Sequence, residues 1–99
     1  MVRIDRQAAE ARIALNSVLD VRQVRRMHES LIPLVADSAP LCLDGSQVTR
    51  VDTAALQLLA AFCRRVRAQT RSIRWESPSE EIVRAAALLD LENELGLRQ

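Results

Sequence analysis

Val2 and Ile4 alternate with Arg3 and Asp5, and after a polar break at 7–10 the alternation resumes over 11–16, with Ile13 and Leu15 on one face. A period of two belongs to a half-buried strand, so these segments predict a hairpin. At Asp20 the period changes. Val21, Val24, Met27, Leu31 and Leu34 recur at helical spacing, while Arg22, Arg25, Arg26 and Glu29 take the other side. That is an amphipathic helix packed on a sheet, with Asp20 as its N-cap. Pro33 should kink it or end it early. Residues 40–43 form a short apolar run ending at Asp44-Gly45. They read as a buried strand, with Gly45 allowing a sharp exit. A polar loop, 44–52, leads to a helix that begins at Asp52 or Thr53 and runs to about residue 68. A short strand at 72–75 follows. In Ser77-Pro78-Ser79-Glu80, Ser77 would cap, Pro78 would take the first helical position and Glu80 would close a capping box. The helix 78–89 should bury Ile82, Ala86 and Leu89, and Asp90 should cap a short last helix that stops at Gly96.

The order β-β-α-β-α-β-α-α predicts an α/β fold with parallel neighbours joined by right-handed crossovers. The expected architecture is a small, mainly parallel four-stranded sheet. An N-terminal antiparallel hairpin lies at its edge, and about four helices pack against it. With 99 residues, 48% of them apolar, the chain makes one domain, 1–99, with a real core. Its net charge of +1 gives no electrostatic reason to expect nucleic acid or an anionic membrane. All 14 basic residues are arginine, which reads as codon usage and not function. No apolar run reaches the length of a membrane span, and the N-terminus lacks the apolar segment of a secretion signal. The expected location is the cytoplasm. Cys42 and Cys63 both lie in apolar sequence and read as buried thiols. His28 is the single histidine, so no metal site is expected.

The second helix is the unusual element. Leu56, Leu59, Cys63 and Val66 form a stripe that should face the sheet. Ala54, Ala55, Leu58, Ala61 and Phe62 remain, and only Gln57 breaks the apolar run from 54 to 62. A helix apolar on most sides is buried twice or exposes a contact patch, and a small domain has little material to bury it twice. A partner-binding face is therefore expected. Arg64, Arg65, Arg67, Arg71 and Arg74 follow it. They suit a helix C-terminus, where they offset the dipole. A nucleic-acid surface is disfavoured, because Trp75 and Phe62 are the only aromatics and offer no stacking platform.

Asp52 and Thr53 stand side by side where this helix begins. A nucleophilic threonine needs a base, and His28 is far along the chain. Two glycines in the whole chain make no phosphate loop, and Asp44 with Asp52 is too small a set for a metal. No catalytic residue, cofactor or enzymatic activity is expected. Each of Asp52 and Thr53 alone is explained as a helix cap. Beside an apolar contact face, Thr53 is also a candidate switch. Phosphorylation there adds about −1.5 to −2 charges. A helix N-terminus tolerates them, but a docked partner would not.

The stretch LCLDGSQVTRVDTAALQLL resembles the STAS domain, the sulphate-transporter and anti-sigma-factor-antagonist family. Asp44 matches the family's strand-end acid, Asp52 its loop acid and Leu56 its leucine. Thr53 falls on the position that is phosphorylated in regulatory members. The likeness continues through SIRWESPSEEIVRAAALLDLENELGL and, upstream, NSVLD, so it covers most of the chain. Ala55 stands where the family usually has glycine, which adds a methyl to any surface packed there. The resemblance implies a non-enzymatic interaction module binding through the 44–62 loop and helix. Its contact residues would be Asp44, Ser46, Asp52, Thr53, Ala54, Ala55, Leu58 and Phe62. Two kinds of member compete. One is the anti-sigma factor antagonist, which binds an anti-sigma factor or serine/threonine kinase. The other is the small subunit of the phospholipid-transporting ABC system that maintains lipid asymmetry, which binds an ATPase. A STAS protein of a chemotaxis or signalling operon is a third. A homodimer through the apolar helix also stays open.

Overall fold

The computed structural model describes residues 3–7, 10–35, 40–68 and 72–97. The strands are β1 (Arg3–Gln7), β2 (Glu10–Ala14), β3 (Val18–Leu19), β4 (Leu41–Asp44), β5 (Arg50–Val51) and β6 (Ile73–Glu76). The helices are α1 (Val21–Val35), α2 (Thr53–Ala68), α3 (Glu80–Leu89) and the single-turn α4 (Glu92–Leu95). Four strands make one sheet in the order β1-β2-β4-β6. β1 runs antiparallel to β2, while β2–β4 and β4–β6 are parallel. The expected hairpin edge and parallel body are both present.

Register explains the two faces of this sheet. Ala11, Leu41 and Ile73 align across the strands, as do Ile13, Leu43 and Trp75. Ala11, Ile13, Leu41 and Leu43 are at most 1% exposed and join the core with Leu56, Leu59, Cys63 and Val66 of α2. The α2 stripe thus meets the sheet as its spacing predicts. Each fully buried leucine there contributes roughly 1.5–3 kcal/mol. The intervening rows, Arg12-Cys42-Arg74 and Ala14-Asp44-Glu76, lie on the other face.

Several expectations need correction. Ala55 and Phe62 do not face outward: they are 0% and 5% exposed. α1 and α4 flank α2 and supply the second burial that a small domain was expected to lack. Phe62 meets the His28 ring of α1 edge-on, with ring centres 6.0 Å apart. α1 ends at Val35, two residues beyond Pro33, so the proline falls in the last turn without ending the helix early. Leu31 and Leu34 carry side chains outside the described set. The cap of α3 is Ser79, whose Oγ accepts from the Ile82 N–H at 3.2 Å, and not Ser77. Pro78 therefore precedes the helix, and Glu80 is its first residue. Asp90 adopts a left-handed conformation, φ 57°, that closes α3 and does not cap α4. Gly96 does terminate α4, with φ 81°.

Candidate functional site

The candidate site lies where β4, β5 and α2 meet. β4 ends at Asp44, whose Oδ1 accepts from the Ser46 N–H at 3.0 Å and the Ser46 hydroxyl at 2.7 Å. This Asx turn starts the loop. Gly45 N–H donates to Glu76 O, Val48 N–H to Gly45 O, and the Thr49 and Arg50 N–H groups to Ser17 O. Val48 is 1% exposed and anchors the loop apolarly. β5 then pairs in parallel with β3, and Asp52 N–H donates to Leu19 O at 2.9 Å. The loop is tied to two neighbouring segments, residues 17–19 and the end of β6, so it presents the start of α2 in a fixed position.

Gly45 contributes through size rather than through a left-handed conformation, contrary to its expected role in the exit. It is buried, and a Cβ there would lie 2.8 Å from Ile82 Cδ1, 3.1 Å from Trp75 Cζ3 and 3.3 Å from Pro78 Cα. The missing side chain lets α3 pack directly on the loop.

At the head of α2 the acid and the hydroxyl divide their roles. Asp52 Oδ1 accepts from the Ala54 N–H at 2.9 Å and Asp52 O from the Leu56 N–H at 3.0 Å. Asp52 is the N-cap. Thr53 is the first helical residue, exposed and not needed for capping. Ala54 is exposed, and Leu58, one turn further, is 39% exposed. Of the expected contact residues, Asp52, Thr53, Ala54 and Leu58 therefore share the solvent side of this helix and its cap. Ser46 is exposed on the loop, whereas Asp44 is committed to Ser46 and Arg12. Ala55 and Phe62 belong to the core.

The open sheet face holds residues that sequence reasoning missed. Arg12 of β2 pairs with Asp44 Oδ2 at 2.8 Å and with Glu76 of β6. Cys42, 0% exposed, sits under this network, 3.8 Å from both the Arg12 guanidinium and the Glu76 carboxylate. The two Ser46 hydrogen bonds, reinforced by Arg12, hold the Asp44 carboxyl below its ordinary 3.8. Arg12 had a faint signal, a polar position in an alternating strand, but its partners follow only from strand register. In the core, burial pushes the Cys63 thiol up to about 12, so it stays protonated. Among the described residues no group of three or more His, Cys, Asp or Glu side chains could hold a metal ion. None of the described helices is long and apolar enough to cross a membrane.

The family model described as "Mlab, STAS domain" matches residues 2–99. The chain belongs to the STAS family. No curated protein matches it. Among solved structures it resembles the anti-sigma factor antagonist SpoIIAA in its unphosphorylated form. That likeness has a TM-score of 0.75 and 13% identity, and covers 94% of this chain and 84% of that one. It also resembles the protein TM1081, with a TM-score of 0.81 and 15% identity, covering 96% of this chain and 78% of that one. At these identities the likeness is one of fold.

Proposed function

We propose that this STAS domain is a non-enzymatic regulatory module of the anti-sigma factor antagonist type. It binds a protein partner through the loop 44–52 and the solvent side of α2, and phosphorylation of Thr53 releases that partner. One observation carries the reading: Asp52 does the capping, which leaves the exposed Thr53 free beside the exposed Ala54 and Leu58. A hydroxyl used as a cap would resist modification. This one carries no such duty. A phosphate on it would meet favourable backbone N–H groups at the helix start, so the fold would tolerate it. A partner seated over Ala54 and Leu58 would lose an apolar contact and gain an unpaired dianion.

A second reading is favoured by the family description, which names Mlab. In it the chain is the accessory subunit of a phospholipid-transporting ABC system, and Thr53 is a fixed contact with the ATPase. Co-purification from the native cell separates the two. The switch reading expects an anti-sigma factor or kinase that Thr53→Glu fails to recover while the melting temperature stays unchanged. Binding retained by Thr53→Glu rejects the switch. Recovery of an ABC ATPase selects the second reading.

A further inference from the structure

α1 and α2 pack side by side and leave a trough between them, of about 280 Å³. Its apolar lining is Val24, Leu58, Ala61 and Phe62, and arginines form its lips, Arg25 from α1 and Arg65 from α2. We propose that this trough is the docking groove for an acidic amphipathic helix of a partner protein. The proposal rests on the reading of the domain as a partner-binding module, and adds the partner's chemistry and secondary structure.

The lining explains the apolar half of that partner. Val24 and Phe62 are 1% and 5% exposed and form the floor, whereas Leu58 stands 39% exposed at its edge. Leu58, Ala61 and Arg65 follow one another at helical spacing, so the trough runs along α2 for two turns, about 10 Å at 1.5 Å per residue. Two turns of an incoming helix present apolar residues at the same repeat.

The walls explain why the partner is helical. Both are α-helices whose backbone groups are used within the helix. An extended peptide would find no free N–H or C=O there, and each of its own groups buried unpaired costs about 1–3 kcal/mol. A helix arrives with its backbone satisfied.

The lips explain the acid. Arg12 and Arg84 are paired with carboxylates, and Arg67 donates to Glu94 O. Among the described residues Arg25 and Arg65 make no ion pair; even Glu29, one turn from Arg25, does not engage it. On its outer side Arg25 borders a second pocket, where Arg22 and Arg26 stand with Asp20, Glu29 and Asp52, so the positive character belongs to the trough's own two lips. Two unpaired guanidinium forks beside an apolar floor are poised to receive carboxylates from the flanks of a docked helix.

The test uses a labelled synthetic helix of about 16 residues, long enough to hold its structure. Leucines line one side and glutamates flank them. A lysine-flanked copy and a proline-interrupted acidic copy serve as controls, with binding read by fluorescence anisotropy. The acidic helix should bind about tenfold tighter than the basic one, with the difference shrinking in salt. Arg25→Glu with Arg65→Glu should reverse that preference. Leu58→Glu, at an exposed position, should weaken both peptides without lowering the melting temperature. Equal affinity for acidic and basic helices overturns the charge argument, and equal affinity for the proline copy overturns the helical one. Self-association abolished by Leu58→Glu would show a second copy as the occupant and reject the proposal. The peptide titration stands whether or not Thr53 is a switch, because Thr53→Glu is titrated alongside and lies outside the trough.

Discussion

At the first turn of α2, adjacent residues that look interchangeable in sequence have different duties. Asp52 accepts the Ala54 N–H, and Thr53 accepts nothing in that cap. Asp52→Ala should therefore cost about 1 kcal/mol, the usual loss of an N-cap. Thr53→Ala should fall within the roughly ±0.5 kcal/mol of an unremarkable surface change. Urea unfolding of both variants checks this, and a larger loss at Thr53 than at Asp52 would return the capping role to the threonine. The same comparison bears on regulation. Only a hydroxyl dispensable for stability can be modified without loosening the helix that displays it.

At the scale of elements, α3 is held against the loop by an absent side chain. Gly45→Ala would drive a methyl toward Ile82 Cδ1. Ile82 is 0% exposed and has Trp75 and Pro78 beside it at the same glycine, so it yields only in part. The expected cost is about 1–3 kcal/mol, the usual range for overpacking. Ile82→Val removes that Cδ1 atom, so Gly45→Ala should cost less in its presence than alone. Thermal unfolding of the four proteins of that cycle measures the coupling, and strict additivity would show that the methyl finds room elsewhere. Sequence reasoning reached the four strands of the main sheet and the four helices, and missed β3, β5 and the packing between elements. The helical spacing of Leu56, Leu59, Cys63 and Val66 is a property of one segment, so it was legible. The burial of Ala55 and Phe62 depends on α1 and α4 arriving from elsewhere in the chain, and no period within α2 records that. β3 and β5 have two residues each, too few for any alternation. Both serines suit the cap of α3 by residue type, but Ser77 adopts a left-handed φ of 51°, whereas Ser79 has the extended backbone of an N-cap, φ −67° and ψ 159°. The candidate site drew notice in the sequence for a related reason: Asp44, Asp52 and Thr53 sit where strand, loop and helix change over, and a change in residue type marks such a place within one segment.

Across the whole molecule, one network joins three of the four strands of the main sheet. Arg12 of β2 joins Asp44 of β4 and Glu76 of β6, so three strands share a charge cluster on the face away from the helices. Asp44 couples that cluster to the candidate site, because the same carboxylate organises the turn at Ser46. Its folded-state pKa lies below the ordinary 3.8. A group depressed by folding binds its proton more readily when unfolded, so it stabilises the fold above the unfolded value. That contribution fades as pH falls below about 4, toward the lower folded value. Asp44→Asn keeps an oxygen to accept from Ser46 but cannot ionise. Its stability should depend less on pH than the parent's across that acid range, and the two curves should converge at low pH. Urea midpoints taken from neutral to acid pH decide it, and parallel curves would show that Asp44 carries no folding-linked proton. A second readout connects this to binding: if the turn positions the partner's contact, Asp44→Asn should preserve capture at neutral pH, since the Ser46 acceptor remains, while Asp44→Ala should weaken it.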